Sequence, residues 1–284
     1  TTRKKKNNLS KLFNHNVNLY TLNIYNKSQI KRILYITQPI LVFYFAGQSL
    51  PDKSFQKKHE TYKSNVLGCK NFLEIIKNHN IKCKFIYPAS SEMYGKIKGK
   101  INIKTKKNPV NPYGESKVIA FNIVKNFREK YNLETYNAII FNTESIYRKK
   151  NHLLPKICLA AIKANKFNKK TSFGNLNISR EWNWADEQMK LLLKFIKRKP
   201  QDFILSNGKS FSALEMLNFA FKYFNLDYRN FVNIEKKYFR KNDINIKISD
   251  YKNCLKRNKL KRKSIIYGKK IIYELINFYQ RNKI

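Results

Sequence analysis

The sequence predicts an α/β fold in which a parallel sheet carries helices on both faces. Two observations lead to this prediction. Short apolar segments alternate along the chain with longer segments in which apolar residues recur at helical spacing. The segment 40–46 is continuously apolar, as expected for a strand that is buried on both faces of a parallel sheet. Strands that alternate with helices imply right-handed βαβ units.

The first half of the chain contains the clearest elements. They are helix 28–37, strand 40–46, helix 54–79, strand 83–87, helix 113–131 and strand 136–141. Pro39 ends the first helix, and Gly47 bounds the first strand on its other side. Pro112 stands at the start of helix 113–131, where its missing N–H costs least.

The pattern loosens after residue 146. The predicted helices are 154–164, 187–196, 212–224 and 269–279, and residues 203–205 form a short strand. No Gly/Ser-rich or Pro-rich linker separates the halves. We therefore expect two lobes that share a cleft, 1–146 and a smaller 147–284, with residues 185–206 returning to the first lobe.

Composition excludes several classes of protein. The chain has 284 residues, of which 42% are hydrophobic and 14% aromatic, so a disordered chain is not expected. Its 4 cysteines lie far apart, which excludes a disulfide scaffold and a CxxC metal or redox site. No apolar run approaches the roughly 18 residues that span a bilayer, and the N-terminus lacks the apolar core of a signal peptide. We therefore expect a cytoplasmic protein with reduced thiols, no metal and no membrane partner.

The formal net charge is +41. Such a charge points to a polyanionic partner, but the Lys residues are dispersed and no DNA-reading motif is present. A dispersed Lys- and Asn-rich composition is typical of drift in AT-rich coding sequence. We expect weak, salt-sensitive attraction to nucleic acid and no specific complex with it.

Tyr113 and Lys117 carry the most informative chemistry. Residues four apart on a helix share a face, and an ammonium beside a phenol favours the phenolate, which lowers the pKa of the Tyr and makes it a base. Strand 83–87 runs into Ser90, Ser91 and Glu92 at the strand end where ligands of open α/β sheets bind. By itself the Tyr-Lys spacing is a weak signal, since both residue types are abundant. Its context is more specific.

The combined motifs resemble the extended short-chain dehydrogenase/reductase family, and within it the GDP-mannose 4,6-dehydratase family. The segments that carry this resemblance are AGQS at 46–49, YKSNVLG at 62–68, SSEMYG at 90–95, NFREKYN at 126–132, FNTES at 141–145, GNLNISREW at 174–182 and YFR at 238–240. The resemblance implies a Rossmann-like dinucleotide-binding domain in residues 1–146 and a mainly substrate-binding lobe in residues 147–284.

The resemblance also implies a reaction. Tyr113, helped by Lys117 and Ser90, takes the proton from the 4-hydroxyl of GDP-mannose, and hydride passes from C4 to NADP⁺. Glu92 removes the C5 proton that the new ketone makes acidic. Water leaves from C6, hydride returns there, and GDP-4-keto-6-deoxymannose forms. Sugar epimerases of the wider family usually lack a carboxylate at the position of Glu92, since they need no elimination.

Further site residues follow from the same resemblance. The cofactor-binding candidates are Arg3, Ala46, Gln48, Tyr113 and Lys117. The substrate-binding candidates are Asn142, Lys156, Arg180, Arg240 and Asp243. Helices 54–79 and 113–131 resemble the family's subunit interface, which implies a homodimer or homotetramer.

One departure from the family pattern concerns glycine. No Gly occurs before Gly47, although the family has a Gly-rich turn after its first strand to seat the cofactor pyrophosphate. We therefore expect an incomplete Rossmann-like sheet without the first strand, turn and first helix, and poor NADP⁺ binding by these 284 residues. The alternatives to an active dehydratase are an inactive fragment, a non-catalytic module that keeps the fold, and another nucleotide-sugar dehydratase or epimerase.

Overall fold

The computed structural model describes residues 17–97, 99–239, 247–261 and 266–282. The contacts among them divide the chain into two units. Unit 1 is formed by the described residues of 1–89, 111–137 and 199–201, and unit 2 by those of 90–110, 138–198 and 202–284. This division does not test the predicted lobes 1–146 and 147–284, which stay a prediction.

The helices of the described residues overlap the predicted segments, except for the helix Tyr251–Arg257, which the sequence did not predict. They are α1 (Lys27–Thr37), α2 (Pro51–Gln56), α3 (Lys58–Tyr62), a π-helical turn (Lys63–Leu67), α4 (Gly68–Asn78), α5 (Pro112–Tyr131), α6 (Leu153–Phe167), α7 (Ala185–Phe195), α8 (Ala213–Lys222), α9 (Tyr251–Arg257) and α10 (Lys269–Arg281). None of these helices is long and apolar enough to cross a membrane.

The strands are mostly short. They are β1 (Leu41–Phe43), β2 (Lys84–Ser90), β3 (Lys100–Ile101), β4 (Thr135–Ile140), β5 (Thr143–Glu144), β6 (Thr171–Phe173), β7 (Ser179–Arg180), β8 (Asn183–Trp184), β9 (Asp202–Leu205), β10 (Phe211–Ser212), β11 (Val232–Ile234) and β12 (Ile248–Ser249). Four of them, in the order β1-β2-β4-β9, form the main sheet, and the others pair two by two.

The main sheet confirms the predicted α/β class. β1 and β2 run parallel, with Leu41 opposite Lys84. Its four strands correspond to the four that the apolar runs predicted. β1 is shorter than the predicted 40–46, because the chain leaves the ladder where Phe45 N donates to Phe43 O in a tight turn.

The predicted single helix 54–79 is wrong in one respect. The structure divides it into α2, α3, the π-helical turn and α4, with Lys57 (φ −116°, ψ 44°) out of helical geometry between the first two. In the π-helical turn, Ser64 Oγ accepts from Gln48 N at 3.1 Å and Asn65 Nδ2 donates to Gln48 O at 3.2 Å. Periodicity does not reveal such an interruption, since the apolar positions persist through it.

Helix α5 begins where the sequence predicts. Pro112 is its first residue, and the Asn111 side chain caps it by accepting from Gly114 N at 2.7 Å. Asn132 ends the helix in the left-handed region, with φ 53°. The cap therefore defines where the first turn of α5 presents its side chains.

Unit 2 has its own hydrophobic core. Helices α6, α8 and α10 pack against one another, and fully buried Ile157, Leu217 and Ile272 come from the three in turn. Trp182 is buried in the same cluster. Burial of these side chains supports the segments around them, including the short strands that the sequence did not predict.

Candidate active site

Tyr113 and Lys117 lie one turn apart in the first half of α5, within unit 1. Tyr113 is half-buried and Lys117 is buried. Lys117 Nζ lies 5.6 Å from the centroid of the Tyr113 ring and 4.7 Å from that of Tyr87. The same ammonium donates to Pro88 O at 2.8 Å. The geometry places a cation against the aromatic face of the candidate base.

Burial dominates the electrostatics of this ammonium. It lowers the pKa of Lys117 to about 8, and the nearby Cys69 acts in the opposite direction. Burial also raises the pKa of Tyr87 well above its ordinary value. Because the hydrogen-bond acceptor of Lys117 is a backbone carbonyl, the positive charge of the ammonium is not cancelled by that bond, and it still favours a phenolate on Tyr113.

A hydrogen-bond chain in unit 1 holds the backbone of Tyr113. Tyr113 N donates to Ser54 Oγ at 3.1 Å, and Ser116 Oγ donates to Tyr113 O at 2.7 Å. Asn65 Nδ2 in turn donates to Ser116 Oγ at 2.9 Å. Sequence reasoning missed Ser54, Asn65 and Ser116. Asn65 stands inside the YKSNVLG segment and Ser116 stands between Tyr113 and Lys117, and these positions were the available signals.

The candidate cofactor segment 46–48 follows β1. Ala46 is exposed, and the Gln48 side chain is engaged with Leu50, donating to its O and accepting from its N at 2.6 Å each. Gly47 has φ +139°, and a Cβ there would lie 2.1 Å from Asn65 Oδ1. Only glycine fits this turn. Arg3, the other cofactor candidate, lies outside the described residues.

Ser90 and Glu92 stand in unit 2, where β2 ends and a 3₁₀ turn begins. Ser90 Oγ accepts from Glu92 N at 3.2 Å, so the hydroxyl caps the turn that carries the carboxylate. This bond uses a lone pair of the hydroxyl and leaves its hydrogen for donation. Gly95 ends the turn at φ +60°, where a Cβ would lie 1.9 Å from Asn108 O. Close backbone packing therefore requires the glycine of the SSEMYG motif.

Glu92 pairs with a residue that sequence reasoning missed, Lys247. Lys247 Nζ lies 2.5 Å from Glu92 Oε1, and the two side chains are 2% and 20% exposed. Burial lowers the pKa of Lys247, Glu92 opposes this shift, and the charge of Arg180 adds to it. No sequence signal marked Lys247, because it is one lysine among many and stands 155 positions from Glu92.

The substrate-binding candidates of unit 2 occupy different surroundings. Arg180 in β7 is buried and donates from Nη1 to Ser179 O at 2.8 Å. Lys156 in α6 donates to Ser172 O at 2.6 Å and lies 4.6 Å from the ring centroid of Phe173. Burial lowers the pKa of Lys156, and Glu235 opposes the shift.

Asn142 follows β4, and its backbone carbonyl accepts from both Asn183 N and Asn183 Nδ2, each at 2.9 Å. Arg240 and Asp243 lie outside the described residues. Among the residues that the structure does describe, no group of three or more His, Cys, Asp or Glu side chains could hold a metal ion.

The candidate residues therefore form one group in each unit, and only the pairing of Tyr113 with Lys117 was predicted. Tyr113 and Lys117 lie together in unit 1, whereas Glu92 and Arg180 both interact with Lys247 in unit 2. The predicted convergence of Ser90 and Glu92 with Tyr113 around one sugar ring joins residues of different units, and it stays a prediction.

Known proteins resemble this chain. The sequence profile described as GDP-mannose 4,6 dehydratase matches residues 1–271. The chain belongs to this family. GDP-mannose 4,6 dehydratase 1 of Arabidopsis thaliana is 31% identical over 242 residues, which cover 81% of this chain and 67% of the relative. The predicted family is thereby confirmed.

Solved structures agree with the fold. RMD of Pseudomonas aeruginosa, complexed with NADPH, has a TM-score of 0.82 at 15% identity over 93% of this chain and 88% of its own. The dTDP-glucose 4,6-dehydratase of Streptomyces venezuelae, solved with NAD and TYD, has a TM-score of 0.78 at 17% identity and covers 92% of this chain and 79% of its own. At these identities the likeness shows a Rossmann-like fold and nothing finer.

The family match does not extend over whole relatives. The chain spans 67% of the Arabidopsis thaliana relative and 51% of the GDP-mannose 4,6 dehydratase of Drosophila melanogaster. Family membership and fold therefore apply to this chain directly, and the activity of the whole relatives is a proposal for it.

Proposed function

We propose that this protein is a nucleotide-sugar dehydratase that converts GDP-mannose to GDP-4-keto-6-deoxymannose with NADP. One observation carries the proposal beyond family membership. Glu92 lies just after β2 in a turn that Ser90 caps, and its carboxylate is paired with the Lys247 ammonium. An elimination needs such a base, and a simple epimerisation at C4 does not.

The described residues fit the sugar part of a dinucleotide. The Lys117 ammonium has three N–H donors and gives one to Pro88 O, so two remain for neighbouring hydroxyls such as those of a ribose. Ala46 and Gln48 in the turn after β1 complete the proposed cofactor contacts. A bound nicotinamide would accept hydride from C4 of the sugar and return it to C6. The choice of NADP rather than NAD follows from the family resemblance.

The oxidation half of the reaction uses the unit 1 pair. Tyr113 takes the proton of the 4-hydroxyl, and the Lys117 ammonium stabilises the phenolate that accepts it. Ser90 donates its remaining hydroxyl hydrogen to the sugar oxygen, which fixes the oxygen while it changes from hydroxyl to carbonyl. These roles are assigned by the match of Ser90, Tyr113 and Lys117 to the family motifs.

The elimination half uses Glu92. Its carboxylate takes the C5 proton and passes it to the 6-hydroxyl as the C6–O bond breaks, so that water leaves. C5 later regains a proton in place of the one that Tyr113 removed from the 4-hydroxyl, so the protons balance. The 4-ketone makes the C5 proton acidic, so this step follows oxidation. Arg180 and Lys156 are the proposed cations for the diphosphate, because guanidinium and ammonium groups suit phosphate oxygens. Asn142 is proposed as a polar contact of the nucleotide sugar, with Arg240 and Asp243 outside the described residues.

The decisive variant is Glu92→Gln. It keeps the size of the side chain and removes the base, so formation of the 4-keto-6-deoxy product falls by about 10²–10⁴-fold. Chromatography of GDP-sugars after incubation with GDP-mannose and NADP⁺ measures it. Glu129→Gln is the matched control, since Glu129 is 62% exposed and pairs only loosely with Lys125 at 3.6 Å. Undiminished product formation by Glu92→Gln would remove this carboxylate from the mechanism.

We also propose a homo-oligomer that uses the helices of unit 1. α2, the π-helical turn and α5 pack together, and each exposes a large apolar side chain: Phe55 (55% exposed), Leu67 (43%) and Ile119 (40%). A second copy that covers these side chains would remove them from water. Light scattering on the wild type and on Ile119→Lys tests this proposal: the wild type is expected as a dimer or tetramer and the variant as a smaller species.

A further inference from the structure

We propose that Lys247 is a positioning residue that holds the Glu92 carboxylate in place and keeps it ionised. Its kinetic consequence rests on the proposed dehydratase function, while its effect on Glu92 itself does not. Lys247 is absent from the motifs that identified the family. Its assignment comes from the structure alone.

The contact is direct and sheltered from water. Nζ and Oε1 are 2.5 Å apart, and only 2% of the Lys247 side chain is exposed. An ammonium buried to this degree requires a partner, because desolvation of an unpaired charge is costly. Glu92 is also held from its backbone side by the Ser90 cap. Glu92 is therefore held both at its backbone and at its carboxylate.

A second carboxylate accounts for the position of Lys247. Glu181 is buried and accepts from Ser249 N at 2.5 Å, Ser249 Oγ at 2.9 Å and Gly208 N at 3.0 Å. Ser249 also pairs with Ile101 in the ladder between β12 and β3. Since Lys247 stands two residues before Ser249, this anchoring sets where its side chain starts.

The charge of Lys247 acts directly on Glu92. Burial lowers the pKa of Lys247, the contact with Glu92 opposes this shift, and the charge of Arg180 adds to it. Glu181, the neighbour of Arg180 in sequence, satisfies its oxygens with hydroxyl and backbone N–H groups. An ammonium in contact with a carboxylate favours the ionised form of that carboxylate, which is the form that accepts the C5 proton. Replacing Lys247 removes this ammonium.

The test uses three variants of the full chain. Lys247→Met removes the charge with little change in length, and Lys247→Arg keeps it. Lys190→Met is the matched control, because Lys190 pairs with Asp186 at 2.7 Å on the surface of the same unit. The protein is labelled with ¹³C-Glu, and NMR follows the side-chain carboxyl signals as the pH is changed. The Glu92 signal is assigned as the one that is missing in Glu92→Gln.

The expected result is a shift of the Glu92 titration midpoint to higher pH by about one unit or more in Lys247→Met. The midpoint stays within about 0.3 unit in Lys247→Arg and Lys190→Met. The acid limb of the kcat profile moves by the same amount as the midpoint, while KM for GDP-mannose changes by less than about threefold. An unchanged midpoint in Lys247→Met overturns the proposal.

Two further comparisons keep the test decisive. If Lys247→Met does not fold, a double variant with Glu92→Gln and Lys247→Met is made, because removing both partners leaves no unpaired charge. Recovery of folding in the double variant supports the pairing, and a double variant no more stable than Lys247→Met overturns it. A shifted midpoint in a protein without dehydratase activity would end the proposed function and leave the role of Lys247 intact. If activity depends on Glu92 but the Glu92 midpoint does not move in Lys247→Met, the proposed function stands and the proposed role of Lys247 is wrong.

Discussion

The two candidate regions each contain a buried lysine, and the two lysines are stabilised differently. Lys117 in unit 1 donates to a backbone carbonyl and lies between aromatic rings. Lys247 in unit 2 pairs with the Glu92 carboxylate. Burial lowers the pKa of both, but only for Lys247 does a carboxylate oppose the shift.

This difference separates two uses of a buried cation. An ammonium whose bonded partner is neutral keeps its field available for a phenolate that forms during reaction. An ammonium that is paired with a carboxylate stabilises a charge that is already present. We expect Lys117 to act on a transition state and Lys247 to act on the ground state of its partner, and the following predictions test that contrast.

The largest effect is expected at Lys117. Lys117→Met removes the cation beside Tyr113, and product formation falls by about 10²–10⁴-fold, measured by the GDP-mannose conversion assay. Its stability in urea at neutral pH is not lowered, because no carboxylate is left unpaired and the cost of burying the charge is removed. Lys125→Met on the same helix, at a side chain 48% exposed, serves as the control. A variant that unfolds would place Lys117 in the same class as Lys247.

The next effect concerns the carboxylate that anchors the strand of Lys247. Glu181→Gln replaces an oxygen acceptor by an amide donor facing the N–H and O–H groups of Ser249 and Gly208, and the free energy of unfolding falls by about 4 kcal/mol. Urea unfolding measures it, with the exposed Glu274→Gln as the control. A loss below about 1 kcal/mol would mean that this anchor is not needed to place Lys247.

The pH dependence of stability distinguishes the lysines further. The pKa of Lys117 is about 8 in the folded chain against 10.5 ordinarily, so the unfolded chain binds more protons between these values. The burial penalty is fully present below about pH 8 and disappears as pH rises to about 10.5. Relative to Lys117→Met, the wild type should gain about 3 kcal/mol over this range, measured by urea unfolding at both ends. If the stability difference between wild type and variant is the same at both pH values, the pKa of Lys117 is not lowered by burial.

The smallest effect is expected at Glu144, a buried carboxylate that, within the described part of the chain, is not paired with a lysine ammonium as Glu92 is. Glu144 Oε2 has no hydrogen-bond partner among the described residues, and Arg148 Nε lies 3.7 Å away. Burial raises the pKa of Glu144 to about 7, and Arg148 opposes the shift.

The folded chain therefore binds more protons than the unfolded chain between about pH 4.5 and 7, and stability is lost as pH rises through this range. Glu144→Gln should remove about 2 kcal/mol of this loss between about pH 5 and 7, as urea unfolding at the two values would measure. An identical pH slope in variant and wild type would show that Glu144 is ionised throughout.

Local sequence predicted much of the fold and part of the candidate site. The presence of the four main strands and the start of α5 near Pro112 depend on neighbours within a few residues, so residue pattern predicts them, although β1 and β2 end elsewhere than predicted. The Tyr113–Lys117 geometry follows from helical spacing alone. The resemblance to the family added the proposed chemistry of Glu92, whose role stays a prediction.

The sequence by itself determined the α/β class, the helix that presents Tyr113 with Lys117, and the family, because each of these depends on local spacing or contiguous motifs. Only the tertiary structure decided that Lys247 pairs with Glu92 and that Glu181 anchors the strand beside it. In a chain with 59 Lys and Arg residues, composition marks no single lysine. Burial together with a facing carboxylate singles out Lys247, whereas the likewise buried Lys117 is held by a backbone carbonyl.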